Sequence, residues 1–128
     1  MKRFSIVSIV LILGLCLAVG ALAADRDAIK AKVDGVVSGI NGGKTATDFS
    51  SAAMDKPYYV FIMKSNGVMV VHPSLIGKNL SEGATKVLYD ELVKATDDGT
   101  WIQYNWKDKV KNTYVRKAKG DLIVGSGY

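Results

Sequence analysis

Trp101-Ile102-Gln103-Tyr104-Asn105-Trp106 alternates across the two faces of an extended strand. Ile102, Tyr104 and Trp106 share one face, and Trp101, Gln103 and Asn105 the other. Two more strand-like runs follow. One spans Asn112–Ala118 and contains Tyr114-Val115-Arg116-Lys117; the other, Asp121–Tyr128, ends Leu122-Ile123-Val124-Gly125-Ser126-Gly127-Tyr128. The joins, Lys107–Lys111 and Lys119-Gly120, are short enough for hairpins. Tyr114 and Arg116 share a face of the middle strand, opposite Val115 and Lys117.

Working back from there, Tyr58–Met63 is rich in aromatic and β-branched residues without polar alternation, as in a strand covered on both faces. Asn66-Gly67 predicts a two-residue type I′ turn, since both residues accept positive φ. Val68–His72 is then the returning strand, and Pro73 stops it for lack of an N–H. After a loop over Ser74–Leu80, Ser81 is placed to cap a helix from Glu82 to Thr96. Ala84, Val87, Leu88, Leu92 and Ala95 hold its helical spacing, and Asp97-Asp98-Gly99 ends it. Nearer the N-terminus, Ile29, Val33, Val36, Val37 and Ile40 recur at three- and four-residue steps. They predict an amphipathic helix from Asp25 to about Ile40, closed by Asn41-Gly42-Gly43. Thr45–Pro57 is polar, with at most a short helical turn around Asp48–Met54. The expected fold is α+β: a five-stranded antiparallel sheet, an N-terminal helix and a helix between strands 2 and 3, with the helices on one side.

The N-terminal end reads differently. Lys2 and Arg3 precede an apolar run from Phe4 to Ala24, and Ala21-Leu22-Ala23 supplies the small residues a signal peptidase accepts. Residues 1–23 are expected to be a signal peptide and 24–128 one domain in the periplasm or outside the cell. The alternative is an uncleaved membrane anchor, because about 20 apolar residues span a bilayer. The only cysteine, Cys16, lies in this segment, and Leu15 before it does not fit a lipoprotein signal. Cleavage leaves 105 residues without cysteine, enough for a single core, and lowers the formal charge from +5 to +3. The remaining lysines are scattered, so no basic stripe points to nucleic acid.

From Tyr58 to Tyr128 the order of segments resembles the single Cache domain, a PAS-like sensor module outside the membrane in bacterial and archaeal receptors. The resemblance rests on the aromatic strand closed by Asn66-Gly67, then His72-Pro73 and Gly77-Lys78-Asn79-Leu80. It continues through Gly99-x-Trp101-x-x-Tyr104-x-Trp106, Tyr114-Val115 and Val124-Gly125-Ser126-Gly127-Tyr128. It implies a PAS-like sheet with a pocket between its concave face and the overlying loops and helix. The ligands it implies are small organic acids, amino acids or amines. Family members usually continue into a membrane helix and a kinase, chemotaxis or cyclase module. This chain stops at Tyr128, so signalling is expected to need a separate membrane receptor or kinase; a homodimer is compatible with it.

A pocket for a small carboxylate wants an apolar shell, a cation and hydroxyl donors. Tyr104, Trp106 and Tyr114, with Arg116 or Lys117, supply that set; the competing reading is that these are core aromatics. The resemblance adds His72, the only histidine, at the pocket mouth, and Lys78 in the loop; each also reads as structural. No catalytic or cofactor set emerges. One histidine and a lone leader cysteine exclude the usual zinc clusters, Asp97-Asp98 suits a helix end, and Gly125-Ser126-Gly127 ends a strand with no helix after it. The chain reads as a ligand-binding sensor and not an enzyme. The alternative is an interaction protein that keeps the fold with its pocket filled.

Overall fold

In the computed structural model, residues 25–128 are described; the predicted signal peptide lies outside them. Helix α1 covers 25–41 and is followed by a 3-10 segment, Ala46–Met54. Strands β1 (Phe61–Lys64) and β2 (Met69–Val71) lead to a 3-10 turn, Gly83–Thr85, and helix α2 (Lys86–Leu92). Strands β3 (Thr100–Trp106), β4 (Lys109–Ala118) and β5 (Leu122–Gly127) complete one antiparallel sheet in the order β2-β1-β5-β4-β3. The last strand therefore lies at the centre, and β3 forms an outer edge.

The helices cover opposite faces, which corrects the expectation of one side. Ile29, Val33, Val36, Val37 and Ile40 of α1 pack on Ile62, Val71, Tyr114 and Val124. Leu92 and Leu80 pack with Phe61, Met63, Met69, Ile102, Val115 and Ile123 on the other face. Neighbouring residues of β1 and β5 thus point into different cores, and each core needs its own helix. Burying apolar area at about 25 cal/mol per Å² supplies the main drive for both.

Three local predictions also change. β1 begins at Phe61, not Tyr58, because the Val60 N–H is spent on the Ala52 carbonyl at 3.0 Å. Gly67 N–H closes on the Lys64 carbonyl at 2.8 Å, so the turn has three residues, Ser65-Asn66-Gly67. Only Gly67 (φ 102°) enters the positive region, as in a type I turn with a glycine bulge. The type I′ pair sits instead at Lys107-Asp108, with φ of 50° and 62° between Trp106 and its partner Lys109. Finally, α2 stops at Leu92 well short of Thr96, because Thr96 leaves the helix to bridge Arg116 on β4.

Candidate functional site

A two-residue turn fixes parity: Trp106 pairs with Lys109, Tyr104 with Lys111 and Trp101 with Tyr114. Directly opposed residues share a face. Tyr104, Trp106 and Lys111 therefore stand on the α2 side of the sheet, whereas Tyr114 and Arg116 stand on the α1 side. The aromatic-plus-cation set expected in one cavity is divided by the sheet.

On the α2 side, Tyr104, Trp106 and His72 line one cleft together with Tyr59, Phe61, Leu88 and Lys111. Its void is about 20 Å³ of space open to the centres of water molecules, room for one or two waters. His72 packs edge-on against Tyr59 at 5.4 Å between ring centres and tilts over Phe61 at 6.4 Å. Its Nδ1 accepts the Ser74 N–H at 3.0 Å and the Leu75 N–H at 3.1 Å. The ring is therefore held as the neutral tautomer with Nε2–H as donor. Burial, and then the charge of Lys107, pull its pKa down to about 4.

The hydroxyl of Tyr104 accepts a hydrogen bond from buried Thr113 at 3.0 Å, which leaves the phenol proton unspent. Burial also pushes this phenol's pKa up, so it stays protonated. Burial, with Lys109 nearby, lowers the pKa of Lys111, and no described carboxylate pairs with it. The polar equipment of the cleft thus includes a neutral imidazole N–H, the Tyr104 phenol O–H and an ammonium. These three are donors set in an apolar and aromatic wall, an arrangement suited to an anion or a carboxylate.

The other expected site residues lie elsewhere. Tyr114 is buried under α1, where its hydroxyl donates to the Asp98 carbonyl at 2.9 Å and meets Asp34 Oδ1 at 3.3 Å. Arg116 is paired with Asp34 at 2.9 Å and donates through Nε to the Asp97 carbonyl, also at 2.9 Å. Lys117 is exposed beside a separate surface depression with Tyr89 and Asp97. Lys78 is exposed in its loop and contributes its carbonyl to Met69 N–H. Lys111 was readable once Lys107-Asp108 is taken as the turn, because the alternation then carries it under Tyr104. Tyr59 has no such signal: it lies before the strand, carried to the cleft by the chain after the 3-10 segment.

Acid should expose the His72 arrangement. A pKa depressed in the folded state gives stability that is present above the unfolded value of about 6.5 and lost as pH falls toward about 4. Between pH 7 and 4.5 the thermal midpoint should fall by roughly 5 °C. His72→Asn keeps an oxygen for the two N–H donors but cannot titrate, so its midpoint should be flat across that window. Parallel decline of both proteins would show that His72 is not the group responsible.

A five-stranded antiparallel sheet with a donor-lined cleft beneath a short helix and loop defines a PAS-like α+β domain. The chain belongs to the Cache domain family, whose model matches residues 13–128. Among solved structures it is similar to a methyl-accepting chemotaxis protein from Vibrio parahaemolyticus RIMD 2210633. The two are 19% identical with a TM-score of 0.57, over 85% of this chain and 90% of that one. It is also similar to the extracellular domain of mmHK1S-Z2, described as a histidine kinase (18% identity, TM-score 0.47, 63% of this chain and 35% of that one). The ligand-binding domain of Mlp24 with asparagine matches at 16% identity and a TM-score of 0.46, over 66% and 35% of the two chains. No curated protein matches the chain. At 19% identity the likeness to the chemotaxis protein speaks for the fold alone.

Proposed function

We propose that this Cache domain is an extracytoplasmic sensor for a small organic acid or amino acid, bound in the cleft between β3, β4 and α2. The observation that carries this reading is the convergence of three unspent donors, His72 Nε2–H, Tyr104 O–H and Lys111 Nζ, on a wall that is otherwise mostly apolar and aromatic. A carboxylate entering from water needs charge-assisted partners to offset its desolvation, and lysine supplies a point charge. Because the void has room for only one or two waters, binding requires Trp106 and α2 to move apart.

The test is a melt and fluorescence screen of the protein against organic acids, amino acids and amines. A ligand at a hundredfold excess over its Kd adds about 2.7 kcal/mol to stability. Trp106→Ala should weaken binding about tenfold or more. Lys111→Met should cost acids about tenfold or more and leave neutral amide analogues unchanged. The near-filled cleft favours a second reading, a protein that acts through its surface. That reading stands if no compound shifts the melt and Trp106 emission stays constant.

The proposed setting is the periplasm or the outside of the cell, with residues 1–23 removed. Intact mass of the exported protein should begin at Ala24; recovery of the full-length mass from membranes would identify an anchor instead. No helix among the described residues is long and apolar enough to cross a membrane. The sensor acts with a separate membrane receptor or kinase. Its association with the native membrane fraction should change when ligand is added, and an unchanged distribution would reject that step.

A further inference from the structure

The two edges of the sheet are built differently. At β2 the chain covers itself: Met69 N–H donates to the Lys78 carbonyl at 2.9 Å, and Gly77 N–H donates to the Met69 carbonyl at 2.8 Å. β2 is also only three residues long, sits beside a register shift in β1 and runs into Pro73, all features that blunt an edge. Even the end of β4 that extends past β3 is covered, since Lys117 N–H donates to the Thr96 carbonyl at 2.8 Å. β3 has none of these protections. Its seven residues contain no charge and no proline, and its pairing with β4 runs without a shift.

β4 determines which β3 groups face outward. Asn112 exchanges both backbone bonds with Tyr128, at 2.8 and 2.9 Å. Its pair with Gln103 is therefore of the kind that shares no bonds. By alternation the N–H and C=O groups of Trp101, Gln103 and Asn105 point away from β4. No described group bonds them, and the Gln103 and Asn105 residues are exposed.

We infer that the β3 edge pairs antiparallel with β3 of a second copy of this chain, about a two-fold axis at Gln103. In this register Gln103 exchanges both backbone bonds with its counterpart, and Trp101 does so with Asn105 in each direction. Those are the residues whose groups face outward, so the parity agrees with the register. No like charges meet within the strand. Beyond its ends, the exposed Lys107-Asp108-Lys109 tip of one copy, two lysines against one aspartate, comes beside the exposed Asp97-Asp98 step of the other. That net charge complementarity, repeated by the two-fold, favours a second copy over an unrelated extended peptide. The pairing is independent of what occupies the cleft.

The experiment is sedimentation equilibrium of the protein over a wide concentration range, with circular dichroism to confirm that each variant keeps its fold. The wild type should show a concentration-dependent dimer. Gln103→Pro removes an outward N–H from each copy without touching the β4 ladder, and should raise the dissociation constant about thirtyfold. Gln103→Lys sets like charges opposite each other and should raise it about fivefold. An equal mixture of Gln103→Lys and Gln103→Glu should restore the dimer. A wild type that stays monomeric at its solubility limit overturns the inference, as does a dimer indifferent to both single changes. A monomer that instead takes up an extended peptide along β3 overturns it as well.

Discussion

Replacing Gly125 by valine should lower the thermal midpoint by roughly 10–20 °C, the equivalent of about 3 kcal/mol in a domain of this size. Gly125 lies on central strand β5, directly opposite Phe61 on β1 and Val115 on β4. A Cβ added there would stand 2.8 Å from Cε1 and 2.9 Å from Cε2 of Phe61, and closer still to Cζ. The ring cannot simply swing aside: Phe61 is 5% exposed, packs in the α2-side core and lines the cleft beside His72. Valine at 125 thus forces the ring toward His72 or bends the sheet at its centre.

Coupling to Phe61 distinguishes this mechanism from a general glycine effect. Phe61→Ala alone should cost about 3–4 kcal/mol through the cavity it leaves. The double variant should be less unstable than the sum of the two by at least about 1 kcal/mol, since the added methyls fill space vacated by the ring. Strictly additive melts would mean that the clash is relieved elsewhere. In the single valine variant the cleft should also narrow, so ligands found in the screen should bind more weakly than the lost stability alone explains.

Gly125 also shows how far the sequence could be read. The strand that holds it was legible, because Leu122-Ile123-Val124 is an apolar run after a turn, and β3 was legible to its last residue from alternation alone. The five Ile and Val positions of α1 all lie in the core, as their spacing required. What stayed hidden depended on tertiary choices. Val60 looks like strand but gives its N–H to Ala52, and Thr96 looks like the end of a helix but joins the sheet. Asn66-Gly67 is a strong two-residue turn signal, yet the chain uses Ser65 as well and puts the tighter turn at Lys107-Asp108. That single displacement decides the parity of β4, and with it which cation stands beside Tyr104. Of the three residues that do meet in the cleft, Tyr104 and Trp106 were identifiable by chemistry and His72 through the family resemblance; Lys111 required the register.

Arg116, expected at a ligand, is committed to Asp34, and loss of that partner should be the second large effect. Asp34 gathers the Lys30 ammonium at 2.7 Å, Arg116 Nη1 at 2.9 Å and the Tyr114 hydroxyl at 3.3 Å, joining α1 to β4. Partial burial pushes the Asp34 carboxyl up, but the hydrogen bonds from Lys30 and Arg116 outweigh it and hold the group below its ordinary range. Asp34→Ala leaves Arg116, whose side chain is only 22% exposed, without its counter-charge. The cost should be about 2 kcal/mol, below that of a fully buried pair because water still reaches both groups. Arg116→Met should cost less, because its carboxylate partner keeps Lys30. The double variant should recover about 1 kcal/mol of the summed loss. The acid limb supplies a separate check on the charge. A depressed carboxyl contributes stability above its unfolded pKa of about 3.8 and loses it as pH falls through the lower folded value. Asp34→Asn should therefore melt lower than wild type at pH 6 and converge with it near pH 2, and a constant gap between the two would remove the charge from the explanation.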